Sequence, residues 1–165
     1  MHVTFAPKGI LQIDEARIIY RNFSGAASKY NREGDRDFSL VIPNQEIADA
    51  LVNDKNSYGV GWNVKERPPR DENEEPFRFM KVKVKFNENG PNVYLKTGDR
   101  MTRLDEDSIS CLDDVEIASV DLDIRPYDNE VNGKPFRSAY LKSMCVTQNV
   151  DRFAARFAED EYPQD

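Results

Sequence analysis

The sequence holds one histidine, one tryptophan and two cysteines in 165 residues. His2, Cys111 and Cys145 cannot supply the four ligands of a structural zinc site. No Gly-x-Ser-x-Gly turn is present, and neither cysteine has a histidine at a catalytic spacing, so serine or cysteine hydrolase chemistry has no footing. A Walker-type glycine loop is also missing, which removes ATP-driven function. No apolar run approaches the roughly 20 residues of a membrane span, and the N-terminus lacks the basic-then-apolar layout of a secretory signal. A cytoplasmic protein with no membrane partner is expected. The two thiols are expected to be free and buried, the usual state of intracellular cysteine.

What is present suits one folded domain. Hydrophobic residues make up 39% and aromatics 10%, enough for a single core at this length. The formal charge of −7 argues at first against a nucleic-acid partner, because phosphate binding is driven by Lys and Arg. Its distribution weakens that objection. Residues 105–123 carry eight acids and no bases, and the last fifteen residues carry five acids against two arginines. With those −8 and −3 contributions set aside, the remaining residues total +4, so a basic face can coexist with an acidic whole.

The pattern along the chain is mostly that of strands. Residues 16–23 and 37–42 read as two strands joined by a polar, glycine-bounded loop over 24–34. Pro43 ends the second, and Asn44 can cap a short helix that carries Ile47, Ala50 and Leu51 at helical spacing and ends near Lys55. Residues 59–66 read as a third strand, followed by an exposed polar loop over 67–76. Alternation over 77–86 marks the clearest strand, and the turn at 87–91 predicts a hairpin with 92–96. Residues 115–127 and 136–150 read as two long strands joined through 128–134. The expected architecture is mainly β: an OB-like antiparallel β-barrel, which hides strand edges, with one or two short helices and a flexible acidic C-terminal tail. Residues 1–150 form the binding domain in this reading, and 151–165 a short helix and the tail.

The strand at 77–86 also carries the chemistry. Phe77, Phe79, Lys81, Lys83 and Lys85 lie on one face, and Arg78, Met80, Val82, Val84 and Phe86 on the other. The second, mostly apolar face fits a core. The first pairs lysines with aromatic rings, the mixture that lets cations track phosphates while bases stack on the rings. The same pattern would also serve as a solvated lysine face that protects an edge strand. Trp62, in the context Gly59-Val60-Gly61-Trp62-Asn63-Val64, is a second stacking candidate. Arg67 and Arg70 sit in a loop able to close over a bound strand. Lys29, Tyr30, Arg32 and Arg36 surround the 24–34 loop as a flexible wall of a groove, with Tyr30 as its stacking residue.

The order of several short motifs resembles a family of bacteriophage single-stranded DNA-binding proteins. Arg21-Asn22-Phe23-Ser24-Gly25, Tyr30-Asn31, Gly34-Asp35-Arg36-Asp37-Phe38 and Gly61-Trp62-Asn63-Val64-Lys65 are similar to its N-terminal segments. Asp123-Ile124-Arg125-Pro126-Tyr127, Gly133-Lys134 and Ser138-Ala139-Tyr140-Leu141 are similar to its later hairpin. The resemblance covers most of residues 17–150 and implies an OB-like barrel that coats single-stranded DNA during phage replication or recombination, in the host cytoplasm. The acidic end, with Glu159, Asp160, Glu161, Tyr162 and Asp165, resembles tails that recruit replication or recombination proteins. It departs from them by ending on Gln164-Asp165 rather than on an apolar or aromatic residue. No cofactor, metal or catalytic residue is implied, and a homodimer is compatible with the reading.

Two other readings compete. Asp121 and Asp123 share a strand face near Asp113 and Asp114, an arrangement that hard cations favour, but no placed lysine or base completes a nuclease. The acidic block and tail would also suit an inhibitor whose carboxylates imitate DNA phosphates and occupy a host nucleic-acid enzyme.

Overall fold

The computed structural model describes residues 1–150, so the expected helix and acidic tail, with Glu159, Asp160, Glu161, Tyr162 and Asp165, lie outside the described residues. Among the described residues, ten strands form one sheet: β1 (His2–Phe5), β2 (Leu11–Ala16), β3 (Ile18–Asn22), β4 (Arg36–Ile42), β5 (Lys65–Arg67), β6 (Phe77–Val84), β7 (Asn92–Thr97), β8 (Arg100–Leu104), β9 (Ile117–Val131) and β10 (Lys134–Gln148). The main path runs β1-β2-β9-β10-β6-β4-β3, with β5 on β6 and the β7–β8 pair on β10. This is the OB-like, mainly β class expected. The sheet is open and mixed, however, rather than a wholly antiparallel closed barrel, because β6 and β7 both join β10 in parallel. Among the described residues, no helix is long and apolar enough to cross a membrane.

The core lies on one side of the sheet. Phe38, Leu40 and Ile42 from β4 meet Met80, Val82 and Val84 from β6, and Leu11, Ile13, Leu122, Ile124, Leu141 and Met144 extend the layer. The alternation that puts these residues inside puts their strand neighbours outside. The helix α1 (Gln45–Asn53) starts where expected: Asn44 Oδ1 accepts from the Ile47 amide at 2.9 Å, and Ala48 and Leu51 are buried. It stops two residues before Lys55, at an Asp54 cap.

Three expectations are corrected. Residues 59–64 form no strand, since this stretch is spent on closing α1: Trp62 N donates to Leu51 O at 3.2 Å, and a Cβ on Gly61 would stand 2.0 Å from Val52 O. The hairpin between 77–86 and 92–96 does not form. A turn closed by two Asn87–Gly90 hydrogen bonds offsets the chain, so β7 continues along β10 and makes its hairpin with β8. Cys111 and Cys145 are free, as expected, but half-buried rather than buried.

The long β9–β10 hairpin is real and tighter than expected. Its strands run to Val131 and Lys134, joined by Asn132-Gly133, both in the left-handed region at φ 53° and 77°. That geometry is the type I′ turn, which favours Asn-Gly. β2 accompanies β9 only as far as Ile124, and β6 meets β10 only at Ala139 and Tyr140. Among the described residues, the hairpin beyond those rungs is a two-stranded arm.

Candidate nucleic-acid interface

The lysine face forms as the alternation requires. Lys81, Lys83 and Lys85 are exposed, Phe77 and Phe79 are half-buried, and Met80, Val82 and Val84 are buried on the opposite side. Arg78, on the inner face, is buried as well, donating to Glu66 Oε1 at 3.2 Å and Gln45 Oε1 at 2.6 Å, so its charge is compensated.

Neighbouring strands widen this face. Tyr140 of β10 stands opposite Lys83, with the ammonium 5.8 Å from its ring. Arg125 of β9 lies 4.8 Å from the same ring, and Tyr127 packs against it edge-on at 5.9 Å and against Phe136 at 6.3 Å. The result is a run of cations and rings from β6 across β10 onto the arm. Arg125, Tyr127, Phe136 and Tyr140 are not among the candidate residues that the sequence pattern marks. Their own alternation on 123–127 and 136–140 held the signal, but only the β6–β10 pairing puts them beside the lysines.

At the other end of β6, Arg67 belongs to β5, paired with Phe77, rather than to the loop expected for it, whereas Arg70 does lie in the exposed loop. The Arg67 guanidinium lies 5.6 Å from the Phe77 ring and donates to the Tyr20 hydroxyl at 2.7 Å. Tyr20 in turn packs perpendicular to Phe79 at 6.1 Å.

The 24–34 loop flanks the lysines. A cleft of about 510 Å³ is lined by Tyr30, Arg32 and Arg36 on one side and by Lys81, Lys83, Lys85, Phe86 and Tyr140 on the other. Tyr30 is 87% exposed, with Lys29 5.6 Å from its ring, so both are available to a ligand. The loop is less free than a flexible wall. Gly34 N donates to Gly25 O, and Asn31 Nδ2 reaches Ala26 O and Asp35 O. Three carboxylates also line the cleft or tie its cations: Asp35, Asp37 at 3.5 Å from Lys81, and Glu106 at 3.3 Å from Arg36.

Trp62 does not present a stacking face. It is 3% exposed, its Nε1 donates to Asp54 Oδ2 at 2.8 Å, and the Arg137 guanidinium lies 4.8 Å from its ring. Its neighbouring glycine serves the close approach to α1, not the approach of a ligand. Arg137, whose side chain is 6% exposed, then forks onto Asp128 at 2.7 and 3.3 Å and onto Asp54 O at 2.8 Å. Burial pushes the Asp128 carboxyl up, but hydrogen bonds from Arg137 and Asn56, with the guanidinium charge, outweigh it and hold the group below its ordinary value. This network fastens the base of the arm to the segment after α1.

The acidic block is largely used by the fold. Asp113 accepts from the Phe23 and Ser24 amides, Asp121 from the Glu15 amide and Asp123 from Ser143 Oγ. Among the described residues, no group of three or more His, Cys, Asp or Glu is placed to hold a metal ion.

No curated protein matches the sequence. The fold is similar to the single-stranded DNA-binding protein from bacteriophage Enc34 in C-terminally truncated form, with a TM-score of 0.57 and 14% identity over 90% of this chain and 91% of that one. It is similar also to the Enc34 protein in complex with ssDNA, with a TM-score of 0.56 and 16% identity over 92% and 93%. A family model for the phage ssDNA-binding domain matches residues 2–164. Because that match spans almost the whole sequence, the chain belongs to the phage single-stranded DNA-binding domain family.

Proposed function

We propose that this protein binds single-stranded DNA, with little sequence preference, along the outer face of β6, β10 and β9. The observation that carries the reading is the alignment of Lys81, Lys83 and Lys85 beside Tyr140 and Arg125, continuous with the cleft under Tyr30. Ammonium groups follow the phosphates and release counterions, while Phe79, Tyr140, Tyr127 and Tyr30 offer ring faces that any base can use. Arg32 and Arg36 close the side of the cleft, Phe77 and Arg67 continue the face at the far end of β6, and Lys29 adds charge at its mouth. The similar Enc34 protein forms a complex with ssDNA, which agrees with this assignment.

The role is non-catalytic: the protein coats and protects single strands during phage replication or recombination, in the host cytoplasm. Its acidic end, Glu159, Asp160, Glu161, Tyr162 and Asp165, is the segment proposed to meet replication or recombination proteins. The inhibitor reading loses its footing because Asp113, Asp121 and Asp123 are turned to the protein's own donors rather than arrayed like phosphates.

The test is charge reversal at Lys81, Lys83 and Lys85, read by anisotropy of labelled oligo(dT), with circular dichroism as the check on folding. Loss of most affinity with the fold intact is expected. Unchanged binding would move the site off this face. Anisotropy is preferable to tryptophan emission, because buried Trp62 should respond weakly to DNA.

A further inference from the structure

β3 carries an irregularity whose effect is to turn one aromatic ring outward. Its rung Ile18–Leu40 is buried in the core, and the next rung, half-buried Ile19 with Ser39, is in register with Lys81 of β6 on the other side of the alternation, Ser39 itself being covered. Strict alternation would send Tyr20 to the core side with Ile18. Instead the register shifts between Ile19 and Asn22, and Tyr20 takes a left-handed backbone at φ 52°. A bulge of this kind re-aims a side chain, and a bulky residue rarely holds this conformation without support. The ring ends up 54% exposed on the lysine side of the sheet. Arg67 Nη2 fixes its hydroxyl at 2.7 Å, the Arg67 guanidinium lies 6.0 Å from the ring, and Phe79 meets it at 81°. Phe23, three residues further on, is the ring this segment contributes to the core, fully buried and stacked on Phe38.

We propose that Tyr20, held by Arg67 and Phe79, is a nucleobase-stacking subsite at the end of the lysine face. The subsite takes a base of any identity, because it offers a ring plane and a cation rather than a set of donors and acceptors matched to one base edge. This inference rests on the proposed DNA path along β6 and adds a residue and a direction to it: the strand continues from the lysines toward β5 and β3, not only toward the arm.

The test uses the full chain with Tyr20→Asn and Tyr20→Phe. Asn adopts the left-handed region readily, so Tyr20→Asn should keep or raise the thermal midpoint while oligo(dT) affinity falls roughly five- to a hundredfold, the usual worth of one stacked base. Tyr20→Phe keeps the ring and should bind within about twofold of the parent. A 2-aminopurine oligonucleotide should be quenched by the parent and the Phe variant, and less by the Asn variant. Parent-like affinity and quenching for Tyr20→Asn, with binding lost on charge reversal of the lysines, would overturn the subsite and leave the DNA face standing. If charge reversal also left binding unchanged, the face and the subsite would both fall. A lowered midpoint alongside weaker binding would make Tyr20 a structural residue and overturn the proposal.

Discussion

At the scale of single residues, the side chains that look most like ligands and those that act as supports exchange places. Trp62 reads as a stacking residue and is a support, whereas half-buried Tyr140 and exposed Tyr20 are rings beside cations. Arg137 shows what the support role demands. Its guanidinium is almost fully buried against Trp62 and Asp128, and removing it strands a carboxylate and empties the contact. Because the side chain of its partner Asp128 is 27% exposed, Arg137→Met should cost about 1–3 kcal/mol in urea unfolding, the range for leaving a partly buried polar group without its partner. Asp128 adds a pH signature. Its folded pKa lies below the unfolded value near ~3.9, so its contribution is complete above that pH and is lost as pH falls through the folded pKa. Asp128→Asn should therefore lower stability at pH 7 and flatten its decline below about pH 4. Asp37 is a residue of the opposite sense: it shares Lys81 with the proposed ligand. Asp37→Asn should raise oligo(dT) affinity by roughly two- to fivefold at low salt, a gain that shrinks as salt screens the pair.

At the scale of elements, β6 was legible because core and solvent impose a period of two on it, and α1 because Asn44, Ile47 and Leu51 mark its start and inner face. The arm was legible as a hairpin, although its strands run further than apolar residues alone indicate, since Tyr127 to Val131 are exposed. β2 carries a readable alternation, with Leu11 and Ile13 buried and Gln12 and Asp14 exposed. β8 offered none: four of its five residues are exposed and only Leu104 is buried. The 59–64 stretch misled because Gly-Val-Gly-Trp has β-forming residues, while its fold is decided by distant backbone carbonyls of α1 that no local pattern reveals. Gly61→Ala tests this directly: the added methyl has backbone on one side and should cost about 1–3 kcal/mol or more of stability. For β6, Lys81→Ala, Lys83→Ala and Lys85→Ala combined should lower the slope of log affinity against log salt by about 2, at roughly 0.7 per phosphate contact on single strands.

At the scale of the whole molecule, the proposed face is assembled only because the sheet is mixed. Parallel pairing of β10 with β6 sets Tyr140 beside Lys83, and antiparallel pairing with β9 sets Arg125 and Tyr127 beyond it. Arg125, Tyr127 and Tyr140 all lie more than forty positions from Lys83 in the chain, which is why sequence pattern exposed the lysines but not the surface they complete. Charge is also organised at this scale: the acids of the block serve the fold, and the net −7 does not describe the face around β6. Ending the chain after residue 150 removes −3, leaving −4, and should keep the thermal midpoint of the domain while raising affinity for oligo(dT) at low salt.

The placement of DNA on this face is tested most directly by photocrosslinking. Oligo(dT) containing 5-bromodeoxyuridine is irradiated on the full chain, and the adducts are mapped by mass spectrometry. Adducts are expected at Phe79 and Tyr140, with Tyr20, Tyr30 or Tyr127 flanking them; adducts confined to the β7–β8 hairpin, or to α1 and β1, would contradict DNA binding on this face.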